Sequence, residues 1–385
     1  MQNPFHVTTL IGTRPEAVKM APVIIALKEH PDYHVNILLS GQHEAIAVDA
    51  LKPFDLYPDR LIARHLSDFS LASQASCYLT DLTKCLQEQP TDLILVHGDT
   101  TTGFIGALAA FYLHIPAGHV EAGLRSHNMK NPFPEEANRR LIEPLCQLLF
   151  APTQLARANL LREHIDPGSI VVTGNTVVDS VKSLANHLPA ICEFQQFEDA
   201  NLDDKRIVLV TTHRRENWGA PMRSICRALQ ILVERYPDLA VILPVHPNPQ
   251  VENVVRPILA GHPRIILTEP LDYETLIAVL RDAYLTLTDS GGIQEEAPSV
   301  ETPALVLREV TERPEAVDAG SARLVGTDTE RIVAATSELL DHPAAYQAMI
   351  AAGNPFGDGK AGERIVQAIG NWRAGKPLEA VAKIE

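Results

Sequence analysis

The chain has 385 residues, more than a single hydrophobic core usually fills, so two domains are expected. Its 45% hydrophobic and 21% charged residues exclude a disordered chain, while a formal net charge of −15 argues against a nucleic-acid surface and requires any anionic ligand to find locally gathered cations. The five cysteines, at 77, 85, 146, 192 and 226, form no Cys-x-x-Cys pair, which argues against a zinc knuckle or a disulfide framework and suits small core residues in a reducing compartment.

The N-terminus enters a strand within a few residues and lacks a basic stretch followed by a long apolar run, and no later segment is long enough to span a bilayer. No membrane association is expected, and the expected location is the cytoplasm. Short β-branched runs then alternate with longer helical patterns. Strands are expected at 7–11, 35–39, 93–96, 148–151 and 170–173 in the first half, and at 207–211, 240–243, 265–268, 284–288 and 304–307 in the second. Most are apolar on both faces, as parallel strands covered by helices must be. Met222, Ile225, Cys226, Leu229, Leu232, Val233 and Tyr236 recur at helical spacing and mark one buried stripe. The pattern reads as an α/β protein of two doubly wound parallel-sheet domains facing across a cleft, with ligand at the carboxyl ends of the strands. The first domain is drawn at 1–175, the second at 176–365, and 366–385 is drawn as a helix that packs back on the first. Neither Gly-x-Gly-x-x-Gly nor Gly-x-x-x-x-Gly-Lys-Ser/Thr occurs, which disfavours a tightly bound dinucleotide and a P-loop. No cofactor and no metal is assigned.

The pentapeptide Arg-Pro-Glu-Ala-Val occurs twice, from Arg14 and from Arg313, and each copy reads as a helix entrance with proline in the first turn and an acid where the dipole favours one. An arginine just outside free backbone N–H groups suits a phosphate, and Gly12 before the first copy allows close approach of backbone to ligand. Further along, His97-Gly98-Asp99-Thr100-Thr101 ends a buried strand, where Asp99 is either a site carboxylate or a helix cap. Glu121 lies between glycines in 118–123, and Glu135 and Glu136 follow Pro132-Phe133-Pro134, with Glu136 read as a solvated residue. Carboxylates gathered in one cleft push their pKa values apart, so that one serves as acid and another as base. In the second half His213 follows a strand in Thr212-His213-Arg214-Arg215-Glu216-Asn217, and His246 follows another between two prolines. In Asp289-Ser290-Gly291-Gly292-Ile293-Gln294-Glu295-Glu296 the backbone N–H groups of 290–292 can cradle a diphosphate, and a carboxylate one turn on can take a ribose diol.

Taken together, the segments 12–19, 97–100, 119–123, 134–139, 212–216, 289–298 and 311–315 resemble the non-hydrolysing UDP-N-acetylglucosamine 2-epimerases over essentially the full length. The resemblance implies a GT-B-like pair of Rossmann domains, a homodimer, a UDP-sugar and UDP as ligands, and interconversion of UDP-N-acetylglucosamine with UDP-N-acetylmannosamine for surface polysaccharide. It implies catalytic positions at Asp99, Glu121, Glu135 and His213. Substrate-binding positions are implied at Arg14, Lys19, Arg139, His246, Ser290, Gly291, Gly292, Glu296 and Arg313, and Gln42 and His43 are counted with them. Where many bacterial relatives carry an Arg-Gln pair and a second Gln at an allosteric site, this chain has Phe69, Ser70 and Ala45, so that regulation is not carried over. Leu271 and Leu276 likewise replace the Gln and Phe usual on the uracil side. Carbon 2 of the sugar bears a poorly acidic hydrogen, and ionising the anomeric bond to UDP makes its removal feasible through a glycal. The alternatives are an epimerase for a related UDP-2-acetamido sugar and a GT-B glycosyltransferase, which would need an acceptor groove and no cluster of three carboxylates.

Overall fold

The computed structural model describes residues 4–41, 44–62, 70–198, 200–202 and 204–378. They form two compact units, one of Met1–Ser180 with Phe356–Glu385 and the other of Val181–Pro355. The first unit holds a seven-stranded sheet of β1 (Phe5–Ile11), β2 (Tyr33–Leu39), β3 (Arg60–Leu61), β4 (Leu93–His97), β5 (Ala117–Val120), β6 (Leu148–Ala151) and β7 (Ile170–Val172), in the order β3-β2-β1-β4-β5-β6-β7. The second holds a six-stranded sheet of β8 (Arg206–Thr211), β9 (Leu239–Pro244), β10 (Ile265–Thr268), β11 (Leu285–Thr288), β12 (Ala304–Val306) and β13 (Ala322–Leu324), in the order β10-β9-β8-β11-β12-β13. Every pairing is parallel. The ten expected strands are present within two residues at each end.

Three strands carry no β-branched run and were not expected. β5 contains Gly118 and His119, and a Cβ at Gly118 would press to 2.8 Å on Leu95 and 3.2 Å on Phe150 of the flanking strands. β3 and β13 are short edge strands. The stripe from Met222 to Val233 lies on the helix Ala220–Arg235 and is fully buried against β8, β9 and β11. All five cysteines are free; Cys85 and Cys226 are buried as expected, whereas Cys192 is exposed in the short turn Ile191–Glu193. Among the described residues no helix is long and apolar enough to cross a membrane.

In each sheet the chain runs outward in one direction and then returns to the other side of its first strand. The crevices at these reversals, between β1 and β4 and between β8 and β11, are where an open α/β sheet offers a ligand site. In the first unit a buried carboxylate spans the crevice. Glu16, 2% exposed, accepts the N–H groups of Gly12 at 2.8 Å and Thr13 at 2.6 Å from the β1 loop, and the Thr100 hydroxyl at 2.6 Å from the β4 loop. Burial raises its pKa to about 7 despite these donors.

The second unit ends at Pro355, not at 365 as drawn from the sequence. The segment after it is held within the first unit: Asn175 N–H donates to the Phe356 carbonyl at 2.7 Å and Gly362 N–H to Asp179 Oδ1 at 2.9 Å. Gly362 lies against Pro22 so closely that a Cβ would meet its carbonyl oxygen at 2.8 Å, which lets the helix Ala361–Arg373 pack on the helix Arg14–Glu29.

A group whose pKa is higher in the folded than in the unfolded chain contributes stability below the unfolded value and loses it as pH rises through the folded one. For Glu16 that window runs from 4.5 to about 7. Between pH 5 and 8 the wild type should therefore lose about 2–3 kcal/mol of unfolding free energy that Glu16→Gln does not lose. Urea denaturation of both proteins at the two pH values measures the difference; parallel pH profiles would show that Glu16 is not buried as a titrating acid.

Candidate active site

The first unit brings two of the predicted acids, Asp99 and Glu121, to the carboxyl ends of β4 and β5. Asp99 follows β4, and it is not the cap of the next helix. Thr100 takes that role, its hydroxyl accepting from Gly103 N–H at 3.0 Å. Asp99 is thereby left to pair with Arg139, while its carbonyl accepts from Asn138 Nδ2 at 2.8 Å. Glu121 follows β5 with φ 68°, a left-handed conformation uncommon outside glycine, and its side chain pairs with Lys19. Asn175 Nδ2 donates to the same carboxylate at 3.1 Å, and His97 Nε2 lies 3.9 Å away. His97 is buried with both ring nitrogens unpartnered among the described residues, and desolvation lowers its pKa to about 4, so the ring is neutral.

Glu135 opens the helix Glu135–Ile142, and its Oε2 is buried without a hydrogen-bond partner among the described residues. Glu136 is a correction to the sequence reading. It is fully buried, not solvated, and accepts the N–H groups of Ser126 at 2.9 Å and His127 at 3.2 Å, as well as Arg139 at 3.1 Å. Burial would raise its pKa, but the Ser126 N–H and Arg139 outweigh that and lower it. Arg139 thus stands between a structural acid and a site acid.

The two Arg-Pro-Glu copies differ. Arg14 is the first residue of its helix, whereas Arg313 stands outside the six-residue helix Pro314–Ala319 and pairs with the buried Glu295. Gly12 is explained by packing: a Cβ there would overlap the Thr102 side chain and lie 3.0 Å from Ser40 Oγ. Gly291 and Gly292 are different. Neither has a left-handed backbone, and an added Cβ would come no nearer than 3.8 Å to Arg214 at Gly291 or 3.7 Å to Ser290 Oγ at Gly292. Nothing among the described residues demands glycine at either place.

The second unit gathers its residues beside β8 and β11. His213 Nδ1 lies 3.0 Å from Oδ1 of the fully buried Asp289. The Ser290 N–H is already donated to Thr288 Oγ1 at 3.0 Å, so the expected backbone cradle narrows to Gly291 and Gly292. Arg214 reaches Glu312 at 3.3 Å beside Gly291. Glu296 is buried and accepts the Tyr273 hydroxyl at 3.2 Å, and His246 Nδ1 accepts from Asn248 N–H at 3.1 Å after β9. Gln42, His43 and Phe69 lie outside the described residues. Sequence reasoning assigned no role to His97, Asn175 or Asp289. His97 and Asp289 stand beside assigned residues in motifs that were singled out, whereas Asn175 meets Glu121 across 54 positions with no local signal.

A family model described as UDP-N-acetylglucosamine 2-epimerase matches residues 25–370. The UDP-N-acetylglucosamine 2-epimerase of Escherichia coli (strain K12) is 43% identical over 371 residues, covering 95% of this chain and 99% of that protein. A Listeria monocytogenes protein of known structure is 40% identical with a TM-score of 0.92, covering 99% of this chain and 100% of that one. The UDP-GlcNAc 2-epimerase of Neisseria meningitidis, solved bound to UDP-GlcNAc, is 39% identical with a TM-score of 0.85, covering 95% and 99%. The two doubly wound units are of the GT-B-like type.

The contrast between the glycines is directly testable by thermal or urea unfolding. Gly12→Ala should cost about 1–3 kcal/mol through overpacking against Thr102, whereas Gly291→Ala should be neutral or stabilising by up to about 1 kcal/mol.

Proposed function

The chain belongs to the UDP-N-acetylglucosamine 2-epimerase family, and we propose that it interconverts UDP-N-acetylglucosamine and UDP-N-acetylmannosamine by eliminating and re-adding UDP through a glycal. In the elimination the anomeric C–O bond breaks with its electron pair passing to UDP, a carboxylate takes the proton from carbon 2, and a double bond forms between carbons 1 and 2. In the return step a proton is delivered to the other face of carbon 2 and a UDP oxygen attacks the anomeric carbon.

The observation that carries this reading is the set of acids beside β4 and β5, two of which are held by cations from other elements: Asp99 by Arg139 and Glu121 by Lys19. Ion pairing holds a carboxylate in one orientation, as a base must be held, and Glu135 adds a third acid whose buried oxygen has no hydrogen-bond partner among the described residues. The second unit takes the UDP moiety, with Gly291, Gly292, Arg313 and Glu296 as contacts and His213 as the group that meets the leaving phosphate. Arg14 and His246 complete the binding set. A homodimer in the cytoplasm that supplies precursors for surface polysaccharide is the setting we assign to it; the five free thiols suit that compartment.

Proton NMR with UDP-N-acetylglucosamine in heavy water tests the reaction. Appearance of UDP-N-acetylmannosamine with deuterium at carbon 2 is expected, and free N-acetylmannosamine or an unchanged spectrum would overturn the proposal. Asp99→Asn, Glu121→Gln and Glu135→Gln should each lower turnover on the order of 10²-fold or more. Near-wild-type turnover in all three would remove them from the acid–base role. Gly291→Ala should weaken UDP binding about tenfold, the scale of 1.4 kcal/mol, while leaving the fold intact; calorimetric titration with UDP reads it directly.

A further inference from the structure

We propose that Asp289 is a positioning residue that holds His213 with its proton on Nδ1 and its Nε2 turned to the ligand. The inference rests on the reading of His213 as the group that meets the leaving phosphate. Strand register brings the two residues together. Thr211 of β8 is paired with Thr288 of β11, and their hydroxyls lie 2.6 Å apart. The residue after Thr288 and the second residue after Thr211 therefore emerge side by side at the crevice between the strands.

Asp289 is fully buried, and its oxygens are ringed by donors. His213 N–H lies 3.1 Å from both oxygens, while Arg214 N–H at 3.0 Å and Asn217 Nδ2 at 2.9 Å reach Oδ2. Burial alone would raise its pKa, but His213 and the other donors prevail and lower it, so the group is a carboxylate. A carboxylate can only accept hydrogen bonds. A hydrogen bond across the 3.0 Å contact from His213 Nδ1 to Oδ1 therefore needs its hydrogen on Nδ1. Nε2 has no partner among the described residues, and the side chain is 45% exposed. A neutral His213 held in this tautomer presents a lone pair at Nε2.

Asp289 also closes the 213–217 loop through backbone donors, so loss of activity alone would not distinguish positioning from folding. The test is a long-range proton–nitrogen spectrum of the full chain labelled with ¹⁵N-histidine, at a pH where imidazole is neutral. The His213 signals are those lost in His213→Asn. The wild type should show Nδ1 protonated and Nε2 bare. Asp289→Asn should shift the proton to Nε2 and lower kcat on the order of 10²-fold, with the UDP dissociation constant changed by less than about twofold.

A proton on Nε2 in the wild type would overturn the proposal, and this measurement stands even if the variant fails to fold. So would a variant that keeps the Nδ1 proton, or one whose UDP affinity falls in step with kcat. A wild-type protein without epimerase turnover would overturn the proposed reaction instead, leaving the tautomer result to judge Asp289 on its own.

Discussion

Each sheet depends on one buried carboxylate placed where the strand order reverses. At that point two loops leave neighbouring strands in parallel with several N–H groups pointing inward and no strand between them to pair with. Glu16 collects such donors in the first unit and Asp289 in the second. Each satisfies backbone that burial would otherwise leave unpaired, at a cost of roughly 1–3 kcal/mol per group. The two solutions differ in electrostatics. Glu16 is met by neutral amides and hydroxyls and becomes a weak acid; Asp289 also has an imidazole as partner and stays ionised. The first arrangement is therefore scaffolding, whereas the second sets its charge against a side chain that reaches solvent.

Strongly acidic overall, the chain handles an anionic ligand by keeping its cations close to acids. Lys19, Arg139 and Arg313 each have a carboxylate partner, on Glu121, Asp99 and Glu295. Such pairing holds long, flexible side chains in one geometry and spares an unpaired charge in a partly buried place. A phosphate that competes for one of these cations alters the electrostatic surroundings of the acid left behind.

The parallel sheets were legible because β-branched runs with apolar residues on both faces have few alternatives once helices separate them. β5 was not, since its glycine and histidine answer to the neighbouring strands and not to strand propensity. Asp99, Glu121, Glu135 and His213 were singled out because each follows a strand end or opens a helix beside a conspicuous motif. What could not be read was pairing across the fold. Nothing local tells that Thr100 caps its helix and frees Asp99, that Glu136 is buried under the 126–127 backbone, or that Gly12 is small for the sake of Thr102 while Gly291 is not constrained from within. Glycine carries the same letter for opposite reasons, and only the space around it separates them.

The return of the chain to its first unit has a consequence for how the protein is made. The helix 361–373 covers the helix 14–29, so the first unit lacks one of its layers until synthesis has passed Arg373, well beyond the whole of the second unit. The second unit is contiguous in sequence and has no such debt. At roughly 5–20 residues per second on the ribosome, the apolar face of helix 14–29 waits for its cover on the order of ten seconds or more after β7 has emerged. The order of completion is then the reverse of the order of synthesis, and the earliest-made unit is the one most exposed to chaperones and to misassembly.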